Sequence, residues 1–371
     1  MRLCYIGDAG SVHTQRWARW FAAEHDVIVI ATEAGDALAE LIACTLPTTS
    51  ARRGLRLAGS VRLVRRVLAN HRPDVVHSHF INESGWFAAA AGFRPFVVTA
   101  WGSDVYRAPS ESRLARHLNP WAVRSADWVT CDSEHQAHLL RSWGATPERV
   151  SVIGWGVDRR EFHPGVDGGE LRARLGIPAS ASAILSPRQW IPNSNIPTVV
   201  AAHEQLPEDV HLILKRMPRF ENGGGDPVEA AIAASAARER IHVVGELPAE
   251  DLPGLYAAAD VVVSLCETDG TPMSVLEAMA VGQPVVALQS PSVAEWVSDP
   301  GGRLLPDLEP RGLATALQGY LADPAARARA AAHNLRIVAD RAERSAQMGR
   351  MEKIYTHLVA ERAPDGGRRG G

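Results

Sequence analysis

The stretch "SLCETDGTPMSVLEAMAVGQPVVAL", Ser264 to Leu288, sets an acidic loop bearing glycine and proline between two apolar runs, with one short helix on its far side. The flanking "DVVVSL" and "PVVAL" are rich in valine and apolar without alternation, the pattern of strands buried on both faces of a parallel sheet. In open parallel sheets, ligands collect beyond the carboxyl ends of the strands. Asp269, Gly270, Thr271 and Pro272 leave their strand at that edge. The helix is expected to start near Met273 or Ser274, where free N–H groups and the helix dipole favour an anion such as phosphate. Glu277 follows about one turn in, its side chain leaning back toward the helix start. A carboxylate there repels a close phosphate but can accept two hydrogen bonds from a neutral diol. Phosphate at the helix start and diol at the glutamate together describe a nucleotide ribose diphosphate, with Asp269 reaching past the phosphates to further hydroxyls. Taken singly, Glu277 reads as a surface helix residue and Asp269-Gly270 as a turn. It is their spacing together that favours a site.

Working outward, the first half alternates short apolar runs ("RLCYIG", "HDVIVIAT", "DVVHSHF", "FVVTAWG", "WVTCDS", "RVSVIGWGVD") with amphipathic segments such as "SVHTQRWARWFAAE". That is repeated βα, the doubly wound class. "WGVDRREFHPGVDGGELRARLGIPASAS" then breaks the pattern with Gly, Pro and charge, and a second series follows: "SAILSPR", "VHLILKR", "IHVVGEL", "DVVVSLC", "PVVAL" and "GRLLP". The expectation is two doubly wound α/β domains in tandem: residues 1–155, a linker over 156–180, and residues 181–345. A closing helix is expected over 346–362 and a disordered tail over 363–371.

Composition agrees with a soluble globular chain: 371 residues, 46% hydrophobic and 22% charged, long enough for two domains of about 150 residues each. A formal net charge of −3 gives no reason to expect nucleic acid as a partner. No apolar stretch approaches the roughly 20 residues of a membrane helix. The opening "MRLCYIGDAG" lacks the apolar segment of a signal peptide, and Cys4, Cys44, Cys131 and Cys266 are scattered. Reduced thiols in a cytoplasmic protein are therefore expected. "ARRGLRLAGSVRLVRRVLANHR" puts Val61, Val64 and Leu68 on one helical face and arginines on the other. A solvated face is the simpler reading, with peripheral contact to an anionic membrane surface the alternative. Of the 39 basic residues only Lys215 and Lys353 are lysines.

"DGTPMSVLEAMAVGQPVV" resembles the donor-site signature of the GT-B fold retaining glycosyltransferases of family GT4, in which two acidic residues stand eight positions apart. The resemblance extends over "IGDAGSVHTQRW", "RPDVVHSHF", "VTAWGSDV", "VIGWGVDRREFHP" and "LPGLYAAADVVVSL". It implies two Rossmann-like domains facing across a cleft, with the nucleotide-sugar donor on the C-terminal domain and the acceptor on the N-terminal one. It implies that Glu277 binds the donor ribose and that Asp269, where Glu is usual, contacts the transferred sugar; Glu267 is an alternative carboxylate. Gly10 and Ser11 fall on the loop that approaches the diphosphate, where a small side chain lets backbone N–H groups close in. Gly245 and Leu247, in "IHVVGEL", join the donor-side set. Two positions depart from the family. Its Arg and Lys clamp on the diphosphate is represented by Arg188, with Asn193 and Ser194 where the Lys is expected, and Trp101 replaces a His after the fourth strand.

The resulting expectation is a metal-independent, retaining hexosyltransferase with no cofactor beyond its co-substrate. The donor is a nucleoside diphosphate sugar, a UDP-sugar first among them. The acceptor is a hydroxyl of a small molecule or an envelope glycoconjugate. Arg188 and Asp269 are the catalytic candidates, with Lys215 proposed to compensate for the missing lysine. His79, Trp101 and Asp104 are expected on the acceptor side, and Trp86, Trp155 and Trp190 could likewise present apolar faces to sugar rings. His77 and His79 form no complete metal site, and His135 and His138 read as ordinary helix residues. The alternatives are another nucleotide-sugar enzyme of the same fold, an epimerase or a phosphorylase, and a non-catalytic nucleotide-sugar binding subunit.

Overall fold

The computed structural model describes residues 1–33, 35–46, 53–216 and 226–362. The expected tail, 363–371, lies outside the described residues. The chain divides into two compact units, Met1–Trp155 together with the chain from Ala346 onward, and Gly156–Ser345.

The first unit runs β1 (Arg2–Asp8), α1 (Val12–Ala22), β2 (Asp26–Glu33), β3 (Ile42–Thr45), α2 (Arg53–His71) and β4 (Val75–His79). It continues with α3 (Trp86–Ala91), β5 (Phe96–Thr99), the short helices α4 (Ser103–Tyr106) and α5 (Ala108–Glu111), and α6 (Arg113–Ser125). β6 (Trp128–Cys131), α7 (Glu134–Ser142) and β7 (Val150–Val152) complete it. The strands form one sheet in the order β3-β2-β1-β4-β5-β6-β7, and every pairing is parallel. Its core takes Ile6, Val76, Val98 and Val129 from the strands, with Val64, Val67 and Leu68 from the apolar face of α2.

The second unit contains α8 (Gly169–Arg174), β8 (Ser182–Ser186), α9 (Ile196–His203), β9 (Val210–Lys215), α10 (Pro227–Ala234) and β10 (Ile241–Val244). Then come α11 (Leu252–Ala257), β11 (Val261–Ser264), α12 (Met273–Val281), β12 (Val285–Leu288), α13 (Pro291–Ala294) and β13 (Gly302–Leu305). Two longer helices, α14 (Pro310–Leu321) and α15 (Pro324–Arg341), precede the closing helix α16 (Arg344–Arg362). The second sheet is also all parallel, in the order β10-β9-β8-β11-β12-β13. Helix α12 ends at Gly282, whose φ of 93° is the left-handed cap that glycine adopts without a Cβ penalty.

Two local results go beyond the sequence pattern. Residues 156–180 are not a free linker, because Phe162, Leu171 and Ile177 are buried in the core of the second unit. Gly168 lets this segment press against α11, where an added Cβ would stand 2.2 Å from the Ala258 backbone nitrogen. Helix α16, for its part, completes the core of the first unit. Its Tyr355 hydroxyl lies 3.2 Å from that of Tyr5 on β1, and it also meets the Trp17 indole N–H. No helix among the described residues is long and apolar enough to cross a membrane.

Candidate functional site

In each sheet the strand order reverses direction once, between β1 and β4 in the first and between β8 and β11 in the second. Such a switch point opens a crevice at the carboxyl ends of the strands, because the two flanking connections leave to opposite sides. The candidate residues gather at these two edges.

At the second edge, Arg188 follows β8, Asp269 lies in the loop after β11, and Ser274 is in the first turn of α12. The Arg188 guanidinium joins the other two, with Nη2 2.8 Å from Asp269 Oδ2 and Nη1 donating to Ser274 Oγ at 2.9 Å. Burial works against the guanidinium charge, but Asp269 and Cys266 together outweigh it, so Arg188 is held protonated more firmly than a free arginine. The Ser292 hydroxyl donates to the Asp269 carbonyl at 2.8 Å and fixes the loop from the other side. Gly270, Thr271 and Pro272 are buried as the loop turns into α12, which starts at Met273 as expected from sequence. One turn further on, Glu277 is 8% exposed and accepts a 2.7 Å hydrogen bond from the Tyr256 hydroxyl of α11.

The position where the resemblance calls for lysine is built as a set of staples. Asn193 donates through Nδ2 to the Thr268 carbonyl at 3.0 Å. Its Oδ1 accepts from the Thr268 amide at 3.2 Å and hydroxyl at 3.1 Å. Asn195, with φ at 50° in the left-handed region that Asn tolerates, reaches the Leu265 carbonyl at 3.0 Å and Glu267 at 3.1 Å. Ser194 stands 3.7 Å from the Cys266 sulfur. These residues therefore hold the loop after β11 in place, and Glu267 is exposed and engaged by Asn195, whereas Asp269 stands with Arg188.

Lys215 ends β9, the strand beside β8, in register with Val244. Arg216 next to it pairs with Glu229 at 2.7 Å and lies over the Trp190 ring, 5.3 Å from its centroid. Gly245 and Leu247 follow β10 at the sheet margin; Leu247 packs on the core, and Gly245 has open space where a Cβ would stand.

At the first edge, the Gly10 amide donates to Asp8 Oδ1 at 2.8 Å and Ser11 forms the N-cap position of α1. His77 lies in the middle of β4 and His79 ends it, and the two differ in their surroundings. The two ring nitrogens of His77 lie 2.5 Å from the Tyr355 hydroxyl and 2.5 Å from Thr99 Oγ1, a structural role. His79 is 1% exposed, and neither of its ring nitrogens has a hydrogen-bond partner among the described residues. Burial, and secondarily the neighbouring His13, lowers its pKa to about 3, so the ring is neutral.

Trp101 follows β5 with its ring 5.8 Å from that of His79. Asp104 is fully buried and accepts from the amides of Ile81 at 2.8 Å, Trp101 at 3.0 Å and Gly102 at 2.9 Å. Burial raises its pKa to about 6 against the opposing pull of those amides. Its work is to pin the loops after β4 and β5, which places Trp101. Trp155 is core, packed on His13 and Trp17, while Trp86 is anchored by its indole N–H to Asn119 at 2.8 Å.

Sequence reasoning missed Tyr256, Asn193 and Asn195 as positioning residues, and Tyr355 as part of the first core. For Tyr256 a signal existed, since it lies inside "LPGLYAAAD", one of the stretches that carries the resemblance. Among the described residues no group of three or more His, Cys, Asp or Glu side chains is arranged to hold a metal ion.

Comparison with known proteins agrees with this geometry. Residues 2–133 match the family described as Glycosyl transferase 4-like, and residues 195–323 match Glycosyl transferases group 1. The chain is 30% identical over 275 residues to a D-inositol 3-phosphate glycosyltransferase of Xylanimonas cellulosilytica, covering 70% of this chain and 66% of that protein. It is 30% identical over 290 residues to the protein of the same name in Mycolicibacterium gilvum, covering 72% and 64%. The matched region thus spans just under two thirds of these relatives' own length.

Among solved structures, sucrose-phosphate synthase from Thermosynechococcus elongatus superposes with a TM-score of 0.81 at 20% identity, over 97% of this chain and 100% of that one. Anabaena HepE in complex with UDP-glucose superposes with a TM-score of 0.82 at 21% identity, over 96% and 100%. Those two likenesses speak to the fold. Taken with the two family matches, they place the chain in the group 1 glycosyltransferases, GT4-like proteins of GT-B fold.

Proposed function

We propose that the chain is a retaining glycosyltransferase that moves a sugar from a UDP-sugar to an acceptor hydroxyl. The observation that carries this reading is the convergence of Arg188, the start of α12 and Glu277 at the second sheet's switch point. A diphosphate fits against Arg188 and the amides at Met273 and Ser274, and a ribose diol fits against Glu277. The choice of UDP draws on HepE, solved with UDP-glucose and with UDP. A glycosyltransferase name is carried by the curated relatives.

In the transfer, the bond between the sugar's anomeric carbon and the diphosphate oxygen breaks, and the electron pair stays with UDP. The acceptor oxygen bonds to the anomeric carbon on the same face, and its proton passes to the departing diphosphate oxygen. The transition state is oxocarbenium-like, so what must be stabilised is the leaving diphosphate. Arg188 and the α12 amides are assigned that work, and Asp269 the reading of a sugar hydroxyl.

A thermal-shift screen with UDP, ADP, GDP and their glucose and N-acetylglucosamine esters tests the reading. A ligand held at 100 times its Kd should add about 2.7 kcal/mol of stability. The expected outcome is a rise with UDP and one UDP-sugar, followed by release of UDP when an acceptor is supplied. No rise with any nucleoside diphosphate would reject the donor site. Release of a rearranged sugar without transfer would favour the epimerase alternative.

A further inference from the structure

The loop that leads from β11 to Asp269 is tied at each residue from Leu265 onward. The Leu265 carbonyl accepts from Asn195 Nδ2 at 3.0 Å, and the Cys266 sulfur lies 3.7 Å from Ser194 Oγ. The Glu267 amide donates to the Asn193 carbonyl at 3.2 Å, and the Glu267 carboxylate accepts from Asn195 at 3.1 Å. Asn193 holds Thr268, while Arg188 and Ser292 hold Asp269. Surface loops are ordinarily the mobile parts of a fold. Glu267 and Thr268 are exposed, yet this loop is held fast.

The grip on Thr268 is specific in kind. Asn193 Oδ1 accepts from the Thr268 amide at 3.2 Å, which fixes the peptide entering that residue. Asn193 Nδ2 donates to the Thr268 carbonyl at 3.0 Å, which fixes the peptide leaving it. Peptides are planar, so fixing both settles φ and ψ of Thr268. The leaving peptide also contains the Asp269 nitrogen, so one carboxamide sets the backbone direction at Asp269. Asparagine offers a donor and an acceptor side by side. Aspartate would turn a second acceptor toward the Thr268 carbonyl, and lysine has no acceptor for the Thr268 amide.

A second observation is independent of Asn193. Asn195 occupies the N-cap position of α9 with a φ of 50°, and its side chain makes no cap hydrogen bond to that helix. Asparagine at an N-cap ordinarily accepts from the first-turn amides, and a left-handed φ is strained for a residue other than glycine. Asn195 instead directs its amide to Leu265 and Glu267 across the switch point between β8 and β11. Local helix stability is given up for the geometry of the loop that ends in Asp269.

We infer that Asn193 is a positioning residue for the transfer step: it aims Asp269 at the donor sugar by setting the backbone on both sides of Thr268, with Asn195 holding the same loop nearer its start. The inference rests on the transferase reading above and adds to it the device that prepares the sugar-side carboxylate before the donor arrives. It also gives position 193 a task that a lysine there could not perform, so this site exchanges a cation for a fixed loop.

Asn193→Ala, the near-isosteric Asn193→Asp and Asn193→Lys test it in the full chain, each measured for kcat and for the Kd of UDP. Every one should lower kcat by about tenfold to 10²-fold, the scale of a misplaced reacting group. UDP affinity should not fall in Asn193→Ala, because Arg188, Ser274 and Glu277 are untouched. Since Asn193 acts through Asp269, combining Asn193→Ala with Asp269→Asn should be no slower than Asp269→Asn alone. Wild-type kcat in Asn193→Ala or Asn193→Lys, a parallel loss of kcat and UDP affinity, or additive losses in the double variant would overturn the inference. A wild-type chain that transfers no sugar would instead count against the transferase reading. Hydrogen exchange still decides the loop in that case: the Thr268 amide should exchange about tenfold faster in Asn193→Ala than in the wild type, and equal rates would overturn the inference.

Discussion

Asp269 Oδ2 lies 2.8 Å from Arg188 Nη2, so two residues expected to serve different parts of the donor are each other's counter-ion. A diphosphate arriving at Arg188 must compete with that carboxylate. Asp269→Asn should therefore bind free UDP more tightly than the wild type, by about threefold to tenfold. Sugar transfer should fall, with kcat/KM down by about tenfold or more, because the carboxylate that reads the sugar is gone. Calorimetry with UDP and steady-state kinetics check the two halves. Weaker UDP binding in Asp269→Asn would mean that the carboxylate orients Arg188 for the phosphate instead of competing for it.

Glu277→Ala should weaken nucleotide binding by about 1–3 kcal/mol, the scale of charge-assisted hydrogen bonds to a diol. Tyr256→Phe removes the 2.7 Å donor that steadies the same carboxylate, and should cost about 1 kcal/mol of nucleotide affinity. Because Tyr256 acts through Glu277, the double variant should lose little more than Glu277→Ala alone. Full additivity in UDP titrations would refute that coupling.

Lys215 ends the strand beside β8, and we assign it the charge that the family's missing lysine would have brought to the leaving diphosphate. Lys215→Ala is expected to lower kcat/KM by about 10²-fold. Lys215→Arg should recover only part of the loss, since a guanidinium fork is larger and differently directed than an ammonium. Wild-type kinetics in Lys215→Ala would leave the diphosphate to Arg188 and the backbone amides.

Acid should destabilise the first unit. His13, His77 and His79 are buried with folded-state pKa values lowered by that burial, His13 to about 4 and His79 to about 3. An unfolded histidine titrates near 6.5, so their contribution is complete above about pH 6.5 and is lost as pH falls toward the folded values, at up to about 1.4 kcal/mol per pH unit for each. Asp104 acts in the opposite sense. Its folded pKa is raised to about 6 by burial, so its contribution is present below about pH 4 and lost as pH rises through 6, which offsets part of one histidine. Melts followed by tryptophan fluorescence should show the midpoint falling between pH 6.5 and 5, since Trp17, Trp101 and Trp155 all touch these rings. His13→Phe should flatten the decline. A midpoint constant from pH 7.5 to 5 would refute the assignment of three neutral buried histidines.

Two sheets of parallel strands, the helix start at Met273 and the place of Glu277 one turn in were all legible in the chain before any contact was known. They depend on short-range features: valine runs without alternation, a glycine-proline loop, and the 3.6-residue turn that sets which side chain leans toward a helix start. The partners of those side chains were not legible. Arg188 meets Asp269 because β8 and β11 are neighbours in the sheet though far apart in sequence. Asn193 became a staple rather than a gap in the cationic clamp because its amide faces the Thr268 backbone across that same switch point. Asp104 looked like an acceptor-side carboxylate until folding placed three backbone amides around it. His77 and His79, one residue apart on one strand, diverged because only His77 meets Tyr355 from the distant end of the chain. Periodicity and loop chemistry are local and survive in the sequence; hydrogen-bond partners across a sheet are set by strand order, which only the packed fold decides.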